Sequence, residues 1–214
     1  MDDQLRLPAG NDELVSLRRA QPPKKPPIMS ILNGGADKDQ AEQTPEEMML
    51  DAVGCTSNVI FIDKENKKIY VANAGDSRCV LSRNKKAVEM SKDHKPTDDS
   101  EKERIEKAGS EVTAEGRVDG NLNLSRSLGD LKYKNREHLK PEDQAITANP
   151  DTYVFDLTDD IDFILMGCDG IWEKHNNEEA VQWVHDKIGN KKLNELDLKQ
   201  ITEDYLHFNI AVDV

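Results

Sequence analysis

Apolar and polar positions fall into two regimes along this chain. Over residues 1–32, Pro22, Pro23, Pro26 and Pro27 interleave with Arg18, Arg19, Lys24 and Lys25. Prolines at this density block helix and sheet ladders and favour an extended, solvated segment. A short helix is predicted over 12–20, where Leu14, Val15 and Leu17 are apolar. Residues 33–43 are polar and contain Gly34-Gly35. Globular patterning begins near Thr44, a helix N-cap followed by Pro45 and by Glu46 and Glu47 in the first turn. The expected organisation is an extended tail over 1–45 and a folded unit over 46–214.

From Gly54 the pattern favours strands. Strands are predicted over 57–62, 69–74, 79–82 and 87–90, with a charged turn at 63–68 and a hairpin turn at Asn84-Lys85. Residues 98–108 predict a helix. Asp98 and Glu101 form a capping-box-like start and Gly109 a stop. Short strands are expected at 112–113 and 122–124, then a long polar loop over 130–147, then strands at 152–155 and 162–166. Asn177–Ile188 reads as an amphipathic helix with Ala180, Val181, Val184 and Ile188 on one face, and Leu198, Ile201 and Tyr205 mark another. Strands in runs, with helices kept apart, predict an α+β fold with mostly antiparallel sheets.

The 214 residues suffice for one domain with a tail. Apolar residues make up 36% and charged residues 33%, so part of the chain is expected to lie outside a core. A net charge of −13 argues against nucleic-acid binding, the proline-flanked basic stretch near the start being the sole local exception. Three widely spaced cysteines, Cys55, Cys79 and Cys168, with no apolar leader, predict a reduced intracellular protein, cytoplasmic or nuclear. Apolar runs such as residues 163–166 are far too short to cross a membrane.

The candidate chemistry is acidic. Asp169 follows the apolar strand 163–166 and lies between Gly167 and Gly170. A carboxylate at a rigid strand end suits a hard cation, and equally suits a turn. Asp76 follows Gly75 at the end of 69–74, where it either joins a cation site or caps a turn and pairs with Arg78. Glu173, four residues after Asp169, shares a cation with it if a helical turn starts there; otherwise it is a surface charge. Trp172 between them is expected to face the core. His94 reads as a surface or structural residue, and the five histidines form no zinc pattern. Arg126 either holds a phosphate or pairs with an acid.

Several segments, in order, resemble the type 2C, metal-dependent protein serine/threonine phosphatases. These are Gly54-Cys55-Thr56-Ser57, Val71-Ala72-Asn73-Ala74-Gly75-Asp76-Ser77-Arg78, Asp93-His94-Lys95-Pro96, residues 101–109, residues 122–130, and Gly167-Cys168-Asp169-Gly170-Ile171-Trp172. The resemblance runs roughly from Gly54 to Ile188. It implies a β-sandwich of two antiparallel sheets flanked by helices. At one end of the sandwich it implies two Mg²⁺ or Mn²⁺ ions bridged by the attacking water. It makes Asp169 a ligand of that centre, and it links Asp76 and Glu173 to an additional, weaker site.

Departures from the family pattern shape the functional expectation. The family opens with a phosphate-gripping arginine and an Asp-Gly-His-Gly segment whose aspartate bridges both metals. Near its end an Asp-Asn segment supplies another ligand. None of these is matched here, and Asn33-Gly34-Gly35-Ala36-Asp37 is no substitute. One carboxylate cannot hold two hard cations, so metal binding is expected to be weak or absent. The favoured expectation is an incomplete type 2C fold that is catalytically silent alone and serves as a binding or structural component. The expected partner is a protein that completes the sandwich edges. The alternative is an active phosphatase, acting on a phosphoprotein, whose remaining segments come from another chain or lie outside this sequence.

Overall fold

Period-two alternation from Ser57 onward produces strands with one wet and one dry face. A computed structural model describes residues 53–211. The expected tail over 1–45 and the helix starts at 12–20 and Thr44 lie outside the described residues. The first strand, β1 (Gly54–Cys55), leads into β2 (Ser57–Asp63) and β3 (Lys68–Ala74). The hairpin β4 (Arg78–Arg83) and β5 (Lys86–Glu89) follows, then α1 (Asp99–Lys107) and β6 (Leu128–Gly129). The remaining strands are β7 (Asp151–Asp156) and β8 (Ile161–Gly167). Three helices close the order: α2 (Asp169–Trp172), α3 (Asn177–Ile188) and α4 (Leu198–Ala211).

Two antiparallel three-stranded sheets result, in the orders β2-β3-β7 and β5-β4-β8. Their inner faces meet. Ile69 and Val71 of β3 pack with Cys79 and Leu81 of β4 and with Met90, while Ile60, Tyr153, Phe155 and Ile164 fill the margins. The outer face of the second sheet is also covered. Val80 packs under Ile171, Trp172, Ala180, Val181 and Tyr205 from the three later helices. Strand β4 is therefore buried on both sides, which explains its unbroken run Cys79-Val80-Leu81. On the outer face of the first sheet, Val59, Phe61, Tyr70 and Val154 are all exposed.

Most expected elements form within a residue or two of their predicted ends, and Asn177–Ile188 forms as predicted. The exceptions have physical reasons. Residues 112–124 make isolated bridges, Val112 to Val118 and Val118 to Leu122, because Gly116 and Gly120 turn the chain before a ladder can extend. The stretch 130–147 is not merely a polar loop. Leu131, Tyr133, Ala145 and Ile146 are buried, and most of them pack with Ile105, Ala108 and Val118 under α1. Among the described residues, β8 is an edge strand with β4 as its sole neighbour.

Removing side-chain volume between the sheets is expected to cost far more than altering the outer face. Ile69→Ala should lower unfolding free energy by about 2–5 kcal/mol, whereas Val59→Thr should stay within about 0.5 kcal/mol. Denaturant titration of both variants checks this.

Candidate functional site

Strand β3 ends in a turn that only glycine can make. Gly75 has φ +119°, and a Cβ there would lie 2.5 Å from Thr56 Cγ2. His94 grips this glycine twice. Its N–H donates to Gly75 O at 3.1 Å, and its Nδ1 accepts from the Gly75 N–H at 3.2 Å. Because Nδ1 accepts, the ring proton sits on Nε2, which donates to Asp151 Oδ2 at 3.2 Å. His94 is 3% exposed, so it is a structural residue and not a surface one.

The turn carries Asp76, which is 4% exposed and accepts a hydrogen bond from Lys95 Nζ at 2.6 Å. The expected alternative partner, Arg78, is engaged elsewhere. It makes a two-pronged bond to Asp93 at 2.8 Å on each side, donates to Asn177 Oδ1 at 2.7 Å, and lies over the Trp172 ring at 5.2 Å. Asp169 opens α2, the helical turn that sequence reasoning made conditional, and its Oδ1 accepts from the Gly170 N–H at 2.8 Å. Trp172 faces the core as expected and donates from Nε1 to Gly167 O at 2.8 Å. Antiparallel pairing sets Arg78 opposite Gly167. Asp76 and Asp169 therefore lie two residues beyond the same rung and leave the sheet at the same end. Glu173 follows α2 and is exposed.

Behind this end lies a buried charge network that sequence reasoning did not find whole. Glu101 is 2% exposed. It accepts from Arg126 Nη2 at 2.6 Å, Arg104 Nη1 at 2.8 Å and Ser125 Oγ at 2.6 Å. Arg126 also donates to Asp151 Oδ1 at 2.6 Å, so it pairs with acids. Burial alone would raise the Glu101 pKa, but the bonds from Arg126 and Ser125 and the Arg104 charge bring it down to about 2. The expected capping box does not form: the Asp98 side chain makes no cap bond, and the Glu101 side chain is turned inward to Arg126 instead of back to the Asp98 N–H. The signal was present in the spacing, since Glu101, Ile105 and Ala108 share one helical face and all are buried.

A divalent-ion cage needs several oxygens converging on one point. Among the described residues, no three His, Cys, Asp or Glu side chains come together in that way. Asp76 is bonded to a lysine, Asp169 is half-buried, and Glu173 points outward. The donor set described does not fit a complete metal centre. A cleft of about 260 Å³ runs along α1 between Ser100, Arg104 and Leu139, and none of the three acids lines it.

A family model described as "Protein phosphatase 2C" matches residues 8–214. The chain belongs to the protein phosphatase 2C family. The match begins well ahead of Gly54, so it is wider than the motif resemblance. "Probable protein phosphatase 2C 3" of Paramecium tetraurelia is 50% identical over 160 residues, covering 75% of this chain and 52% of that protein. "Probable protein phosphatase 2C 5" of the same organism is 48% identical over 213 residues, covering 100% of this chain and 61% of that protein. Among solved structures, a phosphatase from Toxoplasma gondii aligns with a TM-score of 0.58 at 31% identity, covering 66% of this chain and 43% of that one. The chain thus spans about half the length of the curated relatives it matches. The sandwich and its flanking helices are the α+β phosphatase 2C architecture. No helix among the described residues is long and apolar enough to cross a membrane.

The Glu101 network gives this phosphatase 2C scaffold an acid-sensitive component. Its folded pKa of about 2 lies below the ordinary 4.5. The stabilisation is therefore complete above pH 4.5 and is lost as pH falls through about 2. A gap of this size corresponds to on the order of 3 kcal/mol. Denaturant unfolding followed from pH 6 to pH 2 should show a flatter pH dependence in Glu101→Gln than in wild type across that window. Equal slopes would remove Glu101 as the source.

Proposed function

We propose that this chain is a type 2C phosphatase scaffold that does not hydrolyse phosphoesters alone and works as a binding or structural component. The observation that carries this reading is the donor set. Of the three acids that the motif resemblance links to the family's metal sites, one is paired with Lys95, one is half-buried on a short helix, and one is exposed. Any Mg²⁺ or Mn²⁺ held by Asp169, Asp76 and Glu173 is then weak, at roughly millimolar affinity. The partner in this reading is a protein that adds a strand along β8 or β5, the outer edges of the second sheet as described.

A second reading is favoured by the relatives. Proteins with "protein phosphatase 2C" in their names are about half identical to this chain through the same segments. On that reading the chain contributes to a metal-dependent phosphoserine and phosphothreonine phosphatase. Bound ions would lower the pKa of a water for attack on phosphorus, and donors beyond Asp169 would come from elsewhere.

The two readings separate in one assay. The purified chain, given a phosphothreonine peptide and Mn²⁺, is expected to release no phosphate above a buffer control. A saturable, Mn²⁺-dependent rate that Asp169→Ala abolishes would establish the second reading instead.

A further inference from the structure

Asp76 differs from the other acids at its end of the sheet. Its side chain is 5% exposed, so its charge needs a partner inside the fold. That partner is already present. Lys95 Nζ lies 2.6 Å from Asp76 Oδ2, with the lysine side chain 36% exposed. The lysine is not there by chance of a long flexible arm. The preceding residue, His94, is bonded to Gly75 through both its backbone N–H and its ring. Gly75 is the residue before Asp76, so the two dipeptides are fastened together and Lys95 is carried over the carboxylate. Asn73 Nδ2 adds a bond to Gly75 O at 3.1 Å and another to Lys92 O at 2.9 Å, tying the same two segments a third time.

We propose that Lys95 is the resident countercation of Asp76 and closes this carboxylate to a divalent ion. The inference rests on reading Asp76 as part of the family's metal-binding end, and it says why the donor set there falls short. A divalent ion and an ammonium compete for the same oxygens, and the ammonium is tethered. Removing the lysine's charge opens the site; removing Asp76 matters only once the lysine is gone.

The test is Mn²⁺ titration by calorimetry on the full chain, in wild type, Lys95→Gln, Asp76→Asn, the double variant of these two, and Asp169→Asn. Lys95→Gln is expected to bind Mn²⁺ on the order of tenfold more tightly, the loss of one charge-assisted competitor. The gain should vanish in the double variant. In the wild-type background, Asp76→Asn should change Mn²⁺ affinity by less than about threefold, a screened charge effect. Thermal unfolding provides a second readout if Lys95→Gln folds poorly: Mn²⁺ should raise its Tm more than that of wild type, since the ion takes the lysine's place. Unchanged affinity and unchanged Mn²⁺ response in Lys95→Gln would overturn the proposal. If Asp169→Asn still abolished binding in that case, the metal-binding end would stand without a role for Lys95. No saturable binding in any variant would remove both.

Discussion

His94 and Gly75 hold each other by two hydrogen bonds, and the acidic end of the sandwich is built around that pair. Gly75 adopts a left-handed conformation with no room for a side chain, and such a turn persists only where the surroundings fix it. His94 supplies that fixation. Its far nitrogen passes the restraint to Asp151, then through Arg126 to Glu101 on α1. One chain of bonds thus joins a β-turn, a strand start and a helix. Removing Arg126 would leave the buried Glu101 carboxylate short of a partner, which costs more than the bond itself is worth.

A second brace works on the neighbouring turn. Arg78 spans Asp93, Asn177 and the Trp172 ring, so the residue beside His94 indirectly steadies the helix that Asp169 begins. The tripeptide Asp93-His94-Lys95 therefore touches both acidic turns: Asp93 through Arg78, His94 through Gly75, and Lys95 at Asp76 itself. An extended segment between a hairpin and a helix does this because its side chains alternate in direction and reach both neighbours. The same rigidity that would suit a metal site here holds an ammonium in place.

Burial is distributed unequally over the two sheets. The second sheet is packed on both faces, by the first sheet and by the helices after Gly167. The first leaves Phe61, Tyr70 and Val154 exposed in one cross-strand row, with Phe61 and Tyr70 ring centroids 6.1 Å apart. Sheet stability in this protein consequently leans on β4, the central strand of the second sheet, whose Val80 is buried under the helices and whose Cys79 and Leu81 are buried between the sheets.

Much of this was legible in the residues. Alternation set the strands, the 3.6 period set Asn177–Ile188, and the ordered motifs identified the family, because each of these signals lies within a short window. The residues 131–146 were harder: their apolar positions follow no period, and only packing under α1 showed that they belong to a core. The partners of charged groups were not legible at all. Asp98 and Glu101 looked like a cap, yet Glu101 turns inward to Arg126, 25 residues away. Asp76 had Arg78 two residues along, yet it takes Lys95, 19 residues away. The sequence by itself determined which segments become strands and helices and which family they compose. The tertiary structure alone decided which acid meets which base, because Coulomb attraction depends on distance in space, and distance along the chain says little about it once the chain has folded.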